Sequence, residues 1–264
     1  MKLCFSTLAC PDWDFMKIVS TAKELGFSAI EISGLGGEMY APSIWQYDKE
    51  KIQETRRYLR SIRLPIACLS SHCYLHEGPQ YLEEAKEYID LAHEMNVPFV
   101  RLLGDRNPEP GERVDADIAK EFLKKLDEYA SGSKVTPLLE TNGIYANSLL
   151  VKNLFTECSL KNCGVLWDIQ HPYLYYREDG AYTVSNLKEY IKFVHIKDSV
   201  VENHRVVYKP IGEGNLPIRA CVKALKEIGY KGYYSLEWVK RWHPELSDAT
   251  EILVKYKQYM NAKF

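Results

Sequence analysis

Four successive apolar stretches of the chain each carry, at or near their end, a side chain able to bind a metal. They are Leu138-Leu139-Glu140, Gly164-Val165-Leu166-Trp167-Asp168, Val194-His195-Ile196-Lys197-Asp198 and Tyr234-Ser235-Leu236-Glu237. Glu140, Asp168, His195 and Glu237 together form a mixed oxygen and nitrogen donor set. Such a set suits one divalent cation: Mn²⁺, Zn²⁺, Co²⁺ or Mg²⁺. Packed together without a cation, three carboxylates would repel and raise one another's pKa. A lone Glu after an apolar run is ordinarily the solvated end of a strand, and a lone His is more often hydrogen-bonded in the core than a ligand. The fourfold repetition is what points to a shared ion. His171 follows Asp168 by three residues and places a second imidazole close by.

The elements that must position these groups follow from the apolar periodicity. Strands are expected at 2–7, 28–33, 64–70, 98–103, 135–140, 164–168, 192–197 and 232–237. Helical spacing lies between them: from Phe15 to Leu25, with Asp12 as the cap and Gly26 as the stop, and at 48–61, 80–95, 115–130, 144–156, near 184–190, at 217–228 ended by Gly229, and at 246–260. These rest on hydrophobic period and capping residues. Loops are expected at 34–37, at 105–112, after strand six, and over the long span 198–214.

Eight strand-then-helix units imply parallel strands with crossover helices, and eight of them close into a single (β/α)8 TIM barrel spanning residues 1–264. Active sites of this barrel lie at the carboxyl ends of the strands. Glu140 ends strand five, Asp168 ends strand six, His195 lies near the end of strand seven and Glu237 ends strand eight, so one rim would hold all four.

Several neighbours have competing readings. Lys197 lies two residues after His195, so both face the barrel interior. A buried amine there needs a partner; a lowered pKa would make it an acid, and pairing with a rim carboxylate is the alternative. His72 closes strand three and either lines the pocket or packs. Asp198 is expected to brace a loop. Gly212-Glu213-Gly214 resembles a phosphate loop, but so short a pattern reads better as the turn into the helix after Pro217. Trp13, Trp45, Trp167, Trp238 and Trp242 could wall a pocket, although core packing explains each one singly.

Composition narrows the partners. The 264 residues carry 34 Lys and Arg against 36 Asp and Glu, which gives no reason to expect nucleic acid as the main partner and leaves local patches open. The seven cysteines are odd in number and form no C-x-x-C pair, which argues against a disulfide framework or zinc ribbon and for reduced thiols in a cytoplasmic protein. The run ending at Cys10 is too short for a signal segment and reads as the first strand. No stretch reaches the ~18 apolar residues of a membrane helix.

Taken together, Leu139-Glu140, Trp167-Asp168-Ile169-Gln170-His171, His195-Ile196-Lys197-Asp198, Gly212-Glu213-Gly214-Asn215 and Ser235-Leu236-Glu237 resemble, in order, the motifs of the xylose isomerase-like barrel superfamily, within its sugar (phosphate) isomerase/epimerase branch. The resemblance implies a mononuclear site with Glu140, Asp168, His195 and Glu237 as ligands. It implies a small carbohydrate substrate whose carbonyl and hydroxyl oxygens meet the cation, and an enediolate formed by removing the adjacent proton. Glu140 and Glu237 would stand on opposite faces of that carbon, one removing and one returning the proton. His171 becomes a substrate-hydroxyl contact or a supplementary ligand. Lys197 matches a position thought to act as an acid in inosose-type dehydratases, which keeps a lyase as the alternative, and a non-catalytic sugar-binding barrel is a third. Relatives are often dimers or tetramers, so a homo-oligomer is compatible.

Two departures separate the chain from other branches. Strand four ends Arg101-Leu102-Leu103-Gly104, and Val206-Val207-Tyr208 precedes Gly212, where the DNA-cleaving branch places extra metal ligands. Ala146 and Val201 stand where ketose 3-epimerases usually carry Glu and Arg.

Overall fold

A computed structural model describes residues 1–45, 48–77, 79–111 and 115–264. The expected loop at 105–112 therefore ends, at Glu112, outside the described residues.

Eight parallel strands pair in the order β1 (Lys2–Phe5), β10 (Tyr233–Leu236), β7 (Ile191–Ile196), β6 (Gly164–Asp168), β5 (Thr136–Glu140), β4 (Phe99–Leu103), β3 (Ile66–Tyr74) and β2 (Ile30–Ile32). The two ends of this order meet. Ser28 N donates to Leu3 O at 2.8 Å, and Ser6 bridges Glu31 in parallel, so the sheet comes close to a closed barrel. Crossover helices surround it: α1 (Phe15–Glu24), α3 (Lys49–Ser61), α4 (Pro79–Met95), α5 (Ala116–Ala130), α6 (Ser148–Cys158), α8 (Gly180–Leu187), α9 (Ile218–Glu227) and α10 (Ala249–Lys263). None is long and apolar enough to cross a membrane.

Local chemistry explains most boundaries. Asp48 and Asp115 accept backbone N–H groups in the first turns of α3 and α5. Gly26 and Gly229 end α1 and α9 with φ of +67° and +72°, a region that costs other residues energy. The cap of α1 is Asp14 rather than the expected Asp12: its carboxylate accepts from Lys17 N at 2.7 Å, because a cap must immediately precede the first turn. The expected 144–156 helix divides into a short 3₁₀ turn, Gly143–Ala146, and α6, which Asn147 caps. The helix expected near 184–190 begins earlier, at Gly180, capped by Asp179.

Three expectations of loop or strand end are corrected. The chain after strand six is helical at once, as α7 (Gln170–Tyr176). The 198–214 span contains an antiparallel hairpin, β8 (Asp198–Glu202) with β9 (Arg205–Lys209), turned by Asn203 and His204 in the left-handed region. β3 continues through His72 to Tyr74 instead of stopping at residue 70. A further short helix, α2 (Ala41–Trp45), precedes α3.

Period-two alternation divides each strand between two environments. Outward side chains pack against the helices in one large apolar cluster. Inward, Cys4, Cys68, Leu138, Leu166 and Phe193 fill the lower barrel. One pleat higher, the interior turns polar: Glu31, Ser70, Arg101, Glu140, Asp168, His195, Lys197, Ser235 and Glu237 are all buried.

Candidate metal centre

The register of the strands brings the four expected ligands to one level. Asp168 pairs with His195 across β6 and β7, Ser235 pairs with His195 across β10 and β7, and Glu140 pairs with Leu166 across β5 and β6. Glu237 is the first residue past β10 and donates its N–H to Ile196 O at 3.0 Å. Glu140, Asp168, His195 and Glu237 each offer one donor atom, and the four atoms lie within 4.8 Å of one another. His195 Nδ1 stands 3.4 Å from Glu237 Oε1, 3.5 Å from Glu140 Oε1 and 3.9 Å from Asp168 Oδ2. Such spacings suit ligands each about 2.0–2.2 Å from a shared ion.

The imidazole is oriented by a residue that the reading of the sequence missed. Glu31 on β2 accepts hydrogen bonds from His195 Nε2 (3.0 Å), Ser70 Oγ (2.5 Å) and Ser235 Oγ (2.6 Å). A carboxylate on Nε2 holds the proton there and leaves the Nδ1 lone pair facing the cluster. Nδ1 is buried and has no hydrogen-bond partner among the described residues. This orphaned nitrogen, aimed at three carboxylates, fits a metal site.

Charge leads to the same conclusion. Four buried carboxylates, of Glu31, Glu140, Asp168 and Glu237, oppose two buried cations, of Arg101 and Lys197. The excess equals the charge of one divalent ion when His195 is neutral. Burial alone would keep the His195 ring neutral, but Glu31 and Glu237, with Glu140, outweigh it and raise its pKa well above the ordinary value. The same field that draws a proton to this ring would draw a metal ion in the proton's place.

Arg101 on β4, the other residue missed, extends Nη1 to within 3.3 Å of both Glu140 and Glu237, and Nη2 to Ser71 O at 3.0 Å. Burial pushes the Glu140 carboxyl upward, but Arg101 overcomes that and lowers it; in Glu237, Lys197, His195 and Arg101 likewise hold the carboxyl below the usual range against burial. Lys197 Nζ lies 2.6 Å from Asp168 Oδ2 and also pairs with Glu237. The lowered pKa entertained for Lys197 is not found: burial lowers it, but Asp168 and Glu237 raise it well above normal. These two carboxylates favour the ammonium form.

The Asp168 carboxylate also anchors α7. Its Oδ1 accepts from Gln170 N (2.8 Å) and His171 N (3.3 Å), where the helix N-terminus favours a negative charge. His171 Nδ1 donates to Thr141 O at 2.9 Å, which places a proton on Nδ1 and turns Nε2 away from that bond. A cavity of about 440 Å³ opens over the cluster, lined in part by His72, His171, Lys197, Tyr208, Trp242 and His243. That is room for a small polar ligand. Burial, then Arg101 nearby, pushes the His72 ring down to about 4, so it faces the cavity neutral. Trp242 stands edge-on to His72, whereas Trp13, Trp45, Trp167 and Trp238 belong to the apolar core.

Gly212 and Gly214 enclose a side chain rather than a phosphate. Both donate their N–H to Asp198 Oδ2, at 2.9 and 3.0 Å, and a Cβ on Gly214 would lie 2.2 Å from that carboxylate. Asp198 thus ties the hairpin base to the turn before α9.

A signal for both missed residues was present. Ala29-x-Glu31-x-Ser33 and Phe99-x-Arg101-x-Leu103 alternate, and alternation places Glu31 and Arg101 inside the barrel. Tyr208, on β9, lay in the span read as loop.

A (β/α)8 barrel with one buried carboxylate–imidazole cluster at its carboxyl rim is a recognisable class of protein. Residues 19–256 match the xylose isomerase-like TIM barrel family, and the chain belongs to that family. It is 25% identical over 260 residues to the L-ribulose-5-phosphate 3-epimerase UlaE of Shigella sonnei, covering 92% of this chain and 87% of UlaE. Among solved structures, the probable 3-DHS dehydratase AsbF of Bacillus anthracis has the same fold, with a TM-score of 0.79 at 17% identity over 99% of each chain. The IolI protein, solved with a bound zinc atom, has a TM-score of 0.77 at 17% identity over 100% of this chain and 99% of its own.

Proposed function

We propose that the protein is a divalent-metal-dependent isomerase or epimerase of a sugar, sugar phosphate or related polyol ketone. The observation that carries this reading is the convergence of four donor atoms within 4.8 Å on the floor of the cavity, one of them the unpartnered Nδ1 of His195. The relationship to UlaE supports the substrate class. Glu140, Asp168, His195 and Glu237 would hold one ion, Mn²⁺, Zn²⁺, Co²⁺ or Mg²⁺. When bound, the ion supplies Lewis acidity that makes the C–H beside a carbonyl easier to deprotonate.

The chain's own groups do the rest. Arg101 beside Glu140, and Lys197 with His195 and Arg101 beside Glu237, hold both carboxyls ionised, so either can accept a proton from carbon. Inversion requires the opposite carboxyl to take up a proton from solvent and deliver it to the far face of the same carbon, the abstracted proton leaving to water; delivery of the abstracted proton to the neighbouring carbon exchanges aldose for ketose. The Lys197 ammonium and the Arg101 guanidinium offset the negative charge that develops on the substrate oxygens. His171 Nε2 accepts a substrate hydroxyl, and neutral His72 contacts the substrate from β3.

A dehydratase on the same site is the second reading, favoured by the place of Lys197 in the cavity wall and by the shared fold with AsbF. The raised pKa of Lys197 speaks for a charge-holding role over proton donation. The seven buried free thiols fit a cytoplasmic setting.

The test is incubation of Mn²⁺-loaded protein in D₂O with ketoses, ketose phosphates and inososes, followed by NMR. Deuterium should enter the carbon beside the carbonyl of at least one substrate, stop on chelation and resume with Mn²⁺. No exchange across the panel, or exchange indifferent to chelation, would overturn the proposal.

A further inference from the structure

Three cavities lie side by side at the amino ends of the strands, on the face of the barrel opposite the metal centre. The first, about 690 Å³, is lined by Arg56, Arg57, Arg60 and Arg63. The second, about 480 Å³, shares Arg56, Pro65, Ile66 and Asn96 with it. The third, about 360 Å³, shares Lys134 and Val135 with the second and adds Lys161 and Lys192. Shared walls make them one groove with seven cationic side chains and, among the described residues, a single acidic lining residue, Glu94. None of the seven forms an ion pair among the described residues. The whole chain carries 34 basic against 36 acidic residues, so this asymmetry comes from placement rather than composition.

Helix polarity explains only part of it. Cations are stabilised at a helix C-terminus, but the effect fades beyond the last turn. Arg60 and Arg63 lie at the end of α3; Arg56 and Arg57 lie one turn earlier. Arg56, Arg57 and Arg60 arise within about 6 Å of helix axis and repel one another unless an anion joins them. Guanidinium groups pair bidentately with phosphate. An extended acidic peptide offers same-face carboxylates only about every 6.6 Å, a sparser match. Among the described residues Tyr233 and His93 are the only rings lining the groove, too few to stack a run of successive bases of a single-stranded nucleic acid.

We propose that this basal groove binds a linear oligophosphate, a chain of three or more phosphate groups. The site is independent of the chemistry proposed for the barrel mouth.

Calorimetric titration of the metal-loaded protein with tripolyphosphate tests it. The expected result is binding that weakens steeply with salt and is at least roughly tenfold weaker in a variant with Arg56, Arg57, Arg60 and Arg63 all changed to Ser. The variant should keep its circular dichroism and its metal content. If it fails to fold, the milder Arg57→Ser/Arg60→Ser pair, both exposed, should still lose about threefold. Equal affinity of wild type and variant, as chelation at the metal centre would give, overturns the proposal. So does the absence of binding at low salt, or tighter binding of a homopolymeric RNA than of tripolyphosphate.

Discussion

Glu31 and His195, 164 residues apart in sequence, meet inside the barrel at 3.0 Å, carboxylate to Nε2. The bond lies on the side of the ring opposite Nδ1, and two serines complete the carboxylate's partners. Glu31 therefore fixes the tautomer of His195 and aims its Nδ1 at the carboxylate cluster.

Glu31→Gln should accordingly weaken metal binding about 10–100-fold, the usual cost of losing such a supporting partner. Circular dichroism should be unchanged. The measurement is metal content after dialysis against a graded series of chelator. A variant that retains metal as well as the wild type would show that the His195 orientation is set elsewhere.

Glu140→Gln and Glu237→Gln should each reduce solvent-deuterium exchange into substrate by a factor of at least about 100, since general base work of this kind supplies about 10²–10⁴. The NMR assay in D₂O reads this directly, with metal loading checked in each variant. Near-wild-type exchange in both would show that the proton passes through another group.

Lys197→Met separates the two chemistries. The ammonium is ion-paired to Asp168 and Glu237 in the buried interior. Its removal should destabilise the metal-free protein by about 3–5 kcal/mol, the cost of an uncompensated buried charge, and added metal should restore much of the loss. An isomerase should keep exchange within about tenfold of wild type after metal loading, whereas a lyase that needs this acid should lose dehydration by about 100-fold. Loss of exchange equal to the loss of dehydration would place Lys197 in the shared proton-abstraction step.

His72 should leave a trace in the pH dependence of stability. Burial and Arg101 push its pKa down to about 4 from an ordinary 6.5. A depressed folded-state pKa means that the unfolded ring takes up its proton first as pH falls. The contribution is complete above about 6.5 and is lost as pH drops toward about 4. With allowance for its partial exposure, this amounts to roughly 1–3 kcal/mol. Urea unfolding of wild type and His72→Asn at pH values spanning that window should show a shallower decline in the variant. Parallel declines would rule His72 out as a contributor.

The barrel itself was legible because its signal is local and repeated. Eight apolar runs with helical segments between them have one economical closed solution, and outside β1 and β3 each run ends within a residue of its strand. Glu140, Asp168, His195 and Glu237 were legible for the same reason: a polar residue interrupting an apolar run at a strand end stands out. Where the local signal was weak, the reading erred. α7 follows β6 without any turn residue, and the 198–209 hairpin turns on Asn203 and His204 rather than on glycine.

The sequence by itself determined the strand-and-helix alternation, the rim on which four donor side chains stand, and the parity that places His195 and Lys197 inside. Only the tertiary structure decided which atoms meet. Glu31 and Arg101 are ordinary charged residues in their own strands; they become the support of His195 and the counter-charge of Glu140 and Glu237 through barrel closure, which unites β2 with β7 and β4 with β10 across the interior. The protonation of Lys197 was likewise undecided in sequence, because burial and ion pairing push an amine in opposite directions, and only the closeness of Asp168 and Glu237 shows which prevails.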